Sequence, residues 1–135
     1  MQPADLLHAD QEARATALRV DRSFIVQAPA GSGKTELLIQ RVLALLAHVD
    51  RPERVVAITF TRKAAGEMRE RIVRALAEAQ AGTPVESEHQ ARTRELARVA
   101  SEARLRAAAA IERSARARAL HAFVSAGGTR ARFAQ

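Results

Sequence analysis

Residues 23–35 read Ser23-Phe24-Ile25-Val26-Gln27-Ala28-Pro29-Ala30-Gly31-Ser32-Gly33-Lys34-Thr35. The first five are β-branched, aromatic or strand-compatible, and they run into a breaker at Ala28-Pro29-Ala30-Gly31, a pattern that predicts a buried strand followed by a turn. From Lys34 to about His48, the residues Leu37, Leu38, Val42, Leu45 and Leu46 recur on one face, which predicts an amphipathic helix stopped by Asp50-Arg51-Pro52. Between strand and helix, residues 28–35 fit the spacing G-x-x-x-x-G-K-[ST], with Ala28 in place of the first glycine. The chemistry suits a triphosphate. Gly31 and Gly33 let the backbone curl so that successive N–H groups face phosphate oxygens, and the start of the helix adds its positive dipole end. Lys34 would reach the β- and γ-phosphates and the Thr35 hydroxyl would sit on Mg²⁺. The residues expected to hold a nucleoside triphosphate are therefore Ala28, Pro29, Ala30, Gly31, Ser32, Gly33, Lys34 and Thr35, with Lys34 and Thr35 as the catalytic members and Thr35 as the metal ligand.

Outward from this stretch, residues 54–60 form a second near-continuous apolar run, as expected for a strand covered on both faces. A helix follows from Ala64 to about Ala81, with Met68, Ile72, Ala75 and Leu76 as its inward stripe. Two such βα units predict an α/β fold with two parallel strands and flanking helices. Residues 4–20 read as an opening helix, 82–84 as a loop, and 86 to roughly 122 as one long Ala/Arg-rich helix or two. The end, from Ser125 through Gly127-Gly128, reads as disordered.

Composition narrows the classes. The 135 residues contain no Cys, Trp or Tyr, and 31 are Ala, so a core must be built from few bulky side chains. The absence of Cys removes disulfides and thiolate chemistry. No apolar stretch approaches the roughly 20 residues of a membrane span, and no basic-then-apolar leader opens the chain, so a cytoplasmic location with no membrane partner is expected. The net charge of +7 is unevenly spread: residues 1–100 carry 15 basic and 13 acidic groups, and residues 101–135 carry seven and two. A basic end can attract phosphate backbones, or can reflect coding bias, since 20 of the basic residues are Arg. The only two lysines are Lys34 and Lys63. His8, His48, His89 and His121 have no mutual spacing for a metal.

Lys63 lies in Val55-Val56-Ala57-Ile58-Thr59-Phe60-Thr61-Arg62-Lys63-Ala64-Ala65-Gly66-Glu67-Met68-Arg69-Glu70-Arg71-Ile72. This run resembles motif Ia of the superfamily 1 DNA helicases of the UvrD/Rep/RecB type, in which a strand ends in T-F-T-[NR]-K-A-A and a helix carries E-M-[RK]-x-R-[IL]. The resemblance implies a partial RecA-like P-loop NTPase domain, with residues 28–35 as its Walker A loop, and a DNA-contacting edge at Thr59, Phe60, Thr61, Arg62 and Lys63. Hydroxyls, cations and a flat aromatic face suit a partner that grips single-stranded DNA without reading its bases. From the residues alone, Phe60 also reads as the end of a core strand, and Arg62, Lys63, Arg69 and Arg71 as a solvated helix end, with Glu67–Arg71 an i,i+4 pair. Asp10-Gln11-Glu12-Ala13 resembles the Q motif of the same helicases, which implies adenine recognition by Gln11. Arg41 matches a family arginine at the nucleotide. Glu36 departs from relatives that carry an arginine there.

The resemblance covers residues 5 to about 80. It implies residues 1–82 as the N-terminal portion of the helicase ATP-binding domain, 83–122 as a helical extension and 123–135 as a disordered tail. No Asp follows Asp50, and no Glu ends a strand-like run, so neither a Walker B pair nor the second RecA-like domain is expected within these residues. The expectation is an ATP-binding opening segment of a 3′-to-5′ DNA helicase, or of a helicase–nuclease subunit with other subunits as partners, acting in repair or recombination and inactive alone. The change of character near Ala100 is what a frameshift or premature stop would produce. Two other readings stand beside it: a non-hydrolysing basic nucleic-acid-binding module or non-functional truncated product, and another phosphate-loop enzyme such as a small kinase.

Overall fold

Leu37, Ile39, Val42, Leu43, Ala44 and Leu46 are all buried along α2 (Lys34–Leu46). Ile39 and Leu43 have almost no exposed surface, and burying each contributes roughly 1.5–3 kcal/mol. They determine where the core sits. The structure, a computed structural model, describes residues 3–127, with side chains over 7–111 and at 113. Its helices are α1 (Pro3–Ala17), α2, α3 (Arg62–Ala81) and α4 (Glu88–Gly127), with a 3₁₀ turn at Pro52–Arg54.

The core forms where α2, α3 and α4 meet. One cluster joins Ile39 and Leu43 to Met68 and Ala75 of α3 and Ala97 of α4, flanked by Ile72, Leu76, Ala79 and Leu96. A second joins Val42 and Leu46 to Ala100, flanked by Val49 and Val55. Ala97 and Ala100 are fully buried. An alanine has no side chain to hold helices apart, so α4 approaches α2 and α3 closely, and contact area replaces bulk as the source of cohesion.

Local signals set the helix ends. Thr61 caps α3, its hydroxyl accepting from the Ala64 N–H at 3.1 Å. Gly82 closes α3 in the left-handed region at φ 66°, a conformation in which glycine has no Cβ to clash. Ser87 accepts from the Gln90 N–H at 3.3 Å, and the Gln90 side chain accepts from the Glu86 N–H at 2.9 Å. Together these bonds hold the start of α4.

The expected α/β fold is not formed. Among the described residues there is no strand and no sheet, and hence none of the parallel strands of a RecA-like domain. Residues 23–29 and 55–59 carry no regular structure. Their apolar side chains, buried in the sequence reading, are open: Ile25 is 93% exposed, Ile58 89% and Phe60 fully so. The physical reason is that β-branched residues favour an extended backbone locally, whereas a strand exists only when neighbours accept and donate its hydrogen bonds. Helices satisfy their backbone groups internally, and the three that carry apolar stripes build the core without a sheet.

Candidate functional site

Between residue 28 and the start of α2 the backbone curls as the two glycines permit. Gly31 and Gly33 lie at φ 76° and 79°, and they and Gly82 are the positive-φ residues described. A Cβ at Gly31 would meet nothing within 4 Å, and one at Gly33 would lie 3.5 Å from an Arg14 Nη1. Conformation rather than crowding is therefore what calls for glycine at both positions.

The loop feeds directly into α2, whose N-cap is Gly33 with no side-chain cap. The first N–H of the helix to find a carbonyl is that of Leu37, on Gly33 O at 3.1 Å. The N–H groups of Lys34, Thr35 and Glu36 have no acceptor among the described residues. Uncapped helix N–H groups carry the positive end of the helix dipole. Beside them, the Ser32 Oγ is buried and has no hydrogen-bond partner among the described residues, which is costly unless a ligand or water supplies one.

Lys34 folds across the mouth of the loop, donating from Nζ to Ala28 O at 2.5 Å and Pro29 O at 2.7 Å. Its ammonium is thus held inside the loop's own arc. Thr35 is exposed. A cleft of about 460 Å³ opens in front of Gly31, Ser32 and Gly33, bounded also by Arg14, Glu36, Arg71, His89 and Gln90. Arg14 and His89 are shared with a smaller recess of about 120 Å³ that Gln11 lines. Gln11 donates to a Glu88 carboxylate oxygen at 3.5 Å.

Arg41 shares with Lys34 a separate cavity of about 330 Å³. It donates to Ala17 O at 2.5 Å, Arg19 O at 2.8 Å and Arg22 O at 2.8 Å, and stacks over the Phe24 ring at 5.2 Å. Those carbonyls are the unpaired end of α1 and the chain just after it, which need donors wherever they are not hydrated. The contacts described for Arg41 are thus with its own chain.

The second set of expected site residues gathers at the start of α3. Phe60, Thr61, Arg62 and Lys63 are exposed, and Thr59 is partly covered. The Thr61 oxygen is engaged as the helix cap, and the Lys63 ammonium lies 4.0 Å from Glu67. No hydrogen bond joins Thr59–Lys63 to the glycine loop among the described residues. The link between the two regions runs through Arg71, which donates to Glu36 at 2.7 Å. The i,i+4 pairing of Glu67 with Arg71 is replaced by this longer-range one.

Glu36 is the centre of a polar junction that sequence reasoning did not anticipate. Its other oxygen accepts from the Thr93 hydroxyl at 2.6 Å, and that hydroxyl accepts from buried Gln40 at 3.0 Å. One carboxylate thereby ties α2 to both α3 and α4. Arg14 was also missed, although Asp10 four residues earlier is the one local signal for it. Arg14 donates from Nε to Asp10 at 2.7 Å and from Nη2 to Ser32 O at 2.6 Å.

Among the described residues no group of three His, Asp or Glu is placed to hold a metal, and no helix is long and apolar enough to cross a membrane.

An ATP-dependent helicase/nuclease subunit from Desulfitobacterium hafniense (strain DSM 10664 / DCB-2) is 42% identical over 94 residues, covering 66% of this chain and 7% of that protein. The protein of the same description from Desulforamulus reducens is 44% identical over 62 residues, 44% of this chain and 5% of that one. That from Anoxybacillus flavithermus is 47% identical over 55 residues, 38% of this chain and 4% of that one. The matched stretch thus spans only 4–7% of the length of these relatives. No solved structure matches the chain. The UvrD/REP helicase N-terminal domain family matches residues 7–126, nearly the whole length, and the chain belongs to that family.

Proposed function

We propose that this chain is a nucleotide-binding segment of an ATP-dependent DNA helicase, in which residues 28–35 hold the triphosphate. The observation that carries the reading is the loop itself. Two left-handed glycines, three unpaired N–H groups at the start of α2 and the orphaned buried Ser32 hydroxyl converge beside one cleft. Each is a donor or a permissive backbone, and together they call for an anion with several oxygens. Lys34 would exchange the carbonyls of Ala28 and Pro29 for phosphate oxygens, Thr35 would meet the Mg²⁺, and Gln11 in the adjoining recess is the group to read the adenine edge with its paired donor and acceptor.

The fully exposed Phe60, with Arg62 and Lys63 beside it, supports a contact with single-stranded DNA. Stacking on such a ring is worth roughly 1–3 kcal/mol per base and is indifferent to sequence. A place alongside other subunits of a helicase–nuclease assembly is in keeping with relatives described as helicase/nuclease subunits, and a role in DNA repair or recombination is part of the same proposal. Titrating the chain with fluorescent N-methylanthraniloyl-ATP and Mg²⁺ tests the nucleotide site. Saturable binding is expected, displaced by ATP and lost in Lys34→Ala. Binding that survives Lys34→Ala unchanged would remove the loop from the site.

A further inference from the structure

Arg14 is the side chain that three cavities near the glycine loop share. It borders the 460 Å³ cleft, the recess that Gln11 lines, and a third cavity of about 240 Å³ beneath Phe24 and Lys34. Its guanidinium is engaged on two arms. Nε donates to the Asp10 carboxylate at 2.7 Å, and Nη2 donates to Ser32 O at 2.6 Å. The first arm fixes the direction of the fork, because a guanidinium is planar and its donors are rigidly disposed. The second then fixes the Ser32 carbonyl.

A trans peptide is planar, with its C=O and following N–H opposed. Holding the Ser32 carbonyl therefore also fixes the direction of the Gly33 N–H. Gly33 stands at φ 79° as the N-cap of α2, and Ser32 carries the unpartnered hydroxyl. A glycine pair flanking a serine is a weakly restrained stretch of backbone, and something must select one conformation from the many that glycine allows. Arg14 is the one side chain described as hydrogen-bonded to the backbone of residues 31–33.

We propose that Arg14 is the positioning residue of this loop: bridged to Asp10, it holds the Ser32–Gly33 peptide in the orientation that receives a phosphate group. The proposal deepens the nucleotide-binding reading and rests on it for its ligand. It reaches beyond the lysine and the hydroxyl expected to touch the phosphates to a residue that acts through the backbone.

The test uses the full 135-residue chain, labelled with ¹⁵N, as wild type, Arg14→Ala and Arg14→Lys. Lysine keeps the charge and the helix propensity but cannot bridge Asp10 and Ser32 O with one rigid fork. Two readouts are taken: amide shifts of Gly31, Ser32 and Gly33 without ligand, with Leu43 as a reference inside α2, and affinity for N-methylanthraniloyl-ATP with Mg²⁺. Both variants are expected to move the three loop amides while leaving Leu43 in place, and to weaken binding roughly tenfold, as loss of a hydrogen bond from a charged group does. Full affinity in Arg14→Lys would show that charge alone matters and would overturn the proposal, as would loop amides unmoved in either variant. If Arg14→Ala loses helix content, Arg14→Lys decides. A wild-type chain that binds no nucleotide would sink the functional reading by itself, and the ligand-free shifts would still decide whether Arg14 sets the loop.

Discussion

Replacing Gly31 and Gly33 one at a time with alanine tests whether the left-handed loop is what the chain uses. Both glycines sit near φ +78°, where an L-residue costs roughly 1–2 kcal/mol. Space adds nothing at Gly31, where a Cβ would meet no atom within 4 Å, and little at Gly33, where the 3.5 Å approach to Arg14 is ordinary contact. The two variants should therefore suffer alike. The strain has two outlets. If the loop keeps its shape, the free energy of unfolding falls by the full amount. If the loop relaxes, the fold is spared and affinity for nucleotide drops about 5- to 30-fold. Urea denaturation followed by circular dichroism reads the first, and anisotropy of N-methylanthraniloyl-ATP reads the second. Unchanged stability together with unchanged affinity in Gly31→Ala would refute the reasoning. A Gly33→Ala loss far beyond that of Gly31→Ala would show that Arg14 cannot yield and that crowding dominates.

Other perturbations probe the core, the long helix and the exposed edge. Leu43→Ala, at a fully buried position facing α3 and α4, should cost about 2–5 kcal/mol; urea unfolding measures it, and a loss below about 1 kcal/mol would mean that the helices do not pack on Leu43. The Glu95 carboxyl is held below its ordinary value of 4.5 by the hydrogen bond from Arg98, and Asp21 is lowered likewise by Arg19. A depressed folded-state pKa contributes stability above the unfolded value and loses it as pH falls through the folded one. The ellipticity of α4 should accordingly decline as the solution is acidified below pH 4.5, and Glu95→Gln should flatten that decline. Phe60→Ala should weaken binding to a single-stranded oligonucleotide without altering its salt dependence, whereas Lys63→Ala should reduce the salt slope by about one unit; filter binding at several salt concentrations separates the two.

What the sequence disclosed follows the range of the interactions involved. A 3.6-residue period is local, and the expected helix from Lys34 to about His48 is observed as Lys34–Leu46, that from Ala64 to about Ala81 as Arg62–Ala81. Glycine's conformational freedom is also local, so the curled loop was readable from Gly31 and Gly33. Strand pairing is not local. Ile25, Val26, Val56 and Ile58 carry the composition of strands, yet composition cannot supply the neighbours that make one. The polar junction was hidden for the same reason: Glu36 and Arg71 are 35 residues apart, and Glu36 and Thr93 are 57 apart. Glu67 offered Arg71 a nearer partner that the fold declined. Arg41, which the resemblance assigns to the nucleotide, also meets the carbonyls of Ala17, Arg19 and Arg22, a demand that only the packed structure makes visible.

The same helix supports both the core and the loop, and it divides the two tasks along its length. Ile39, Leu43 and Leu46 anchor α2 against α3 and α4, while its first turn is left uncapped beside Gly31–Gly33. An N-terminus with unpaired N–H groups is tolerable because the buried turns beyond it stabilise the helix on their own. Glu36 sits at the boundary, where its ion pair with Arg71 and bond to Thr93 fasten the last open turn to the packed body. Core and loop changes should then be energetically separate, since Gly31 has no neighbour within 4 Å and Leu43 packs only among core residues. In a double-mutant cycle, Leu43→Ala and Gly31→Ala should add within about 0.5 kcal/mol. Glu36→Gln, which weakens the fastening, should instead couple to both, because a first turn released from α3 and α4 lets strain in the loop reach the helix that carries it. Strong coupling between Leu43 and Gly31 with Glu36 intact would mean that the loop is braced by the core directly, and that the carboxylate junction is not the division between them.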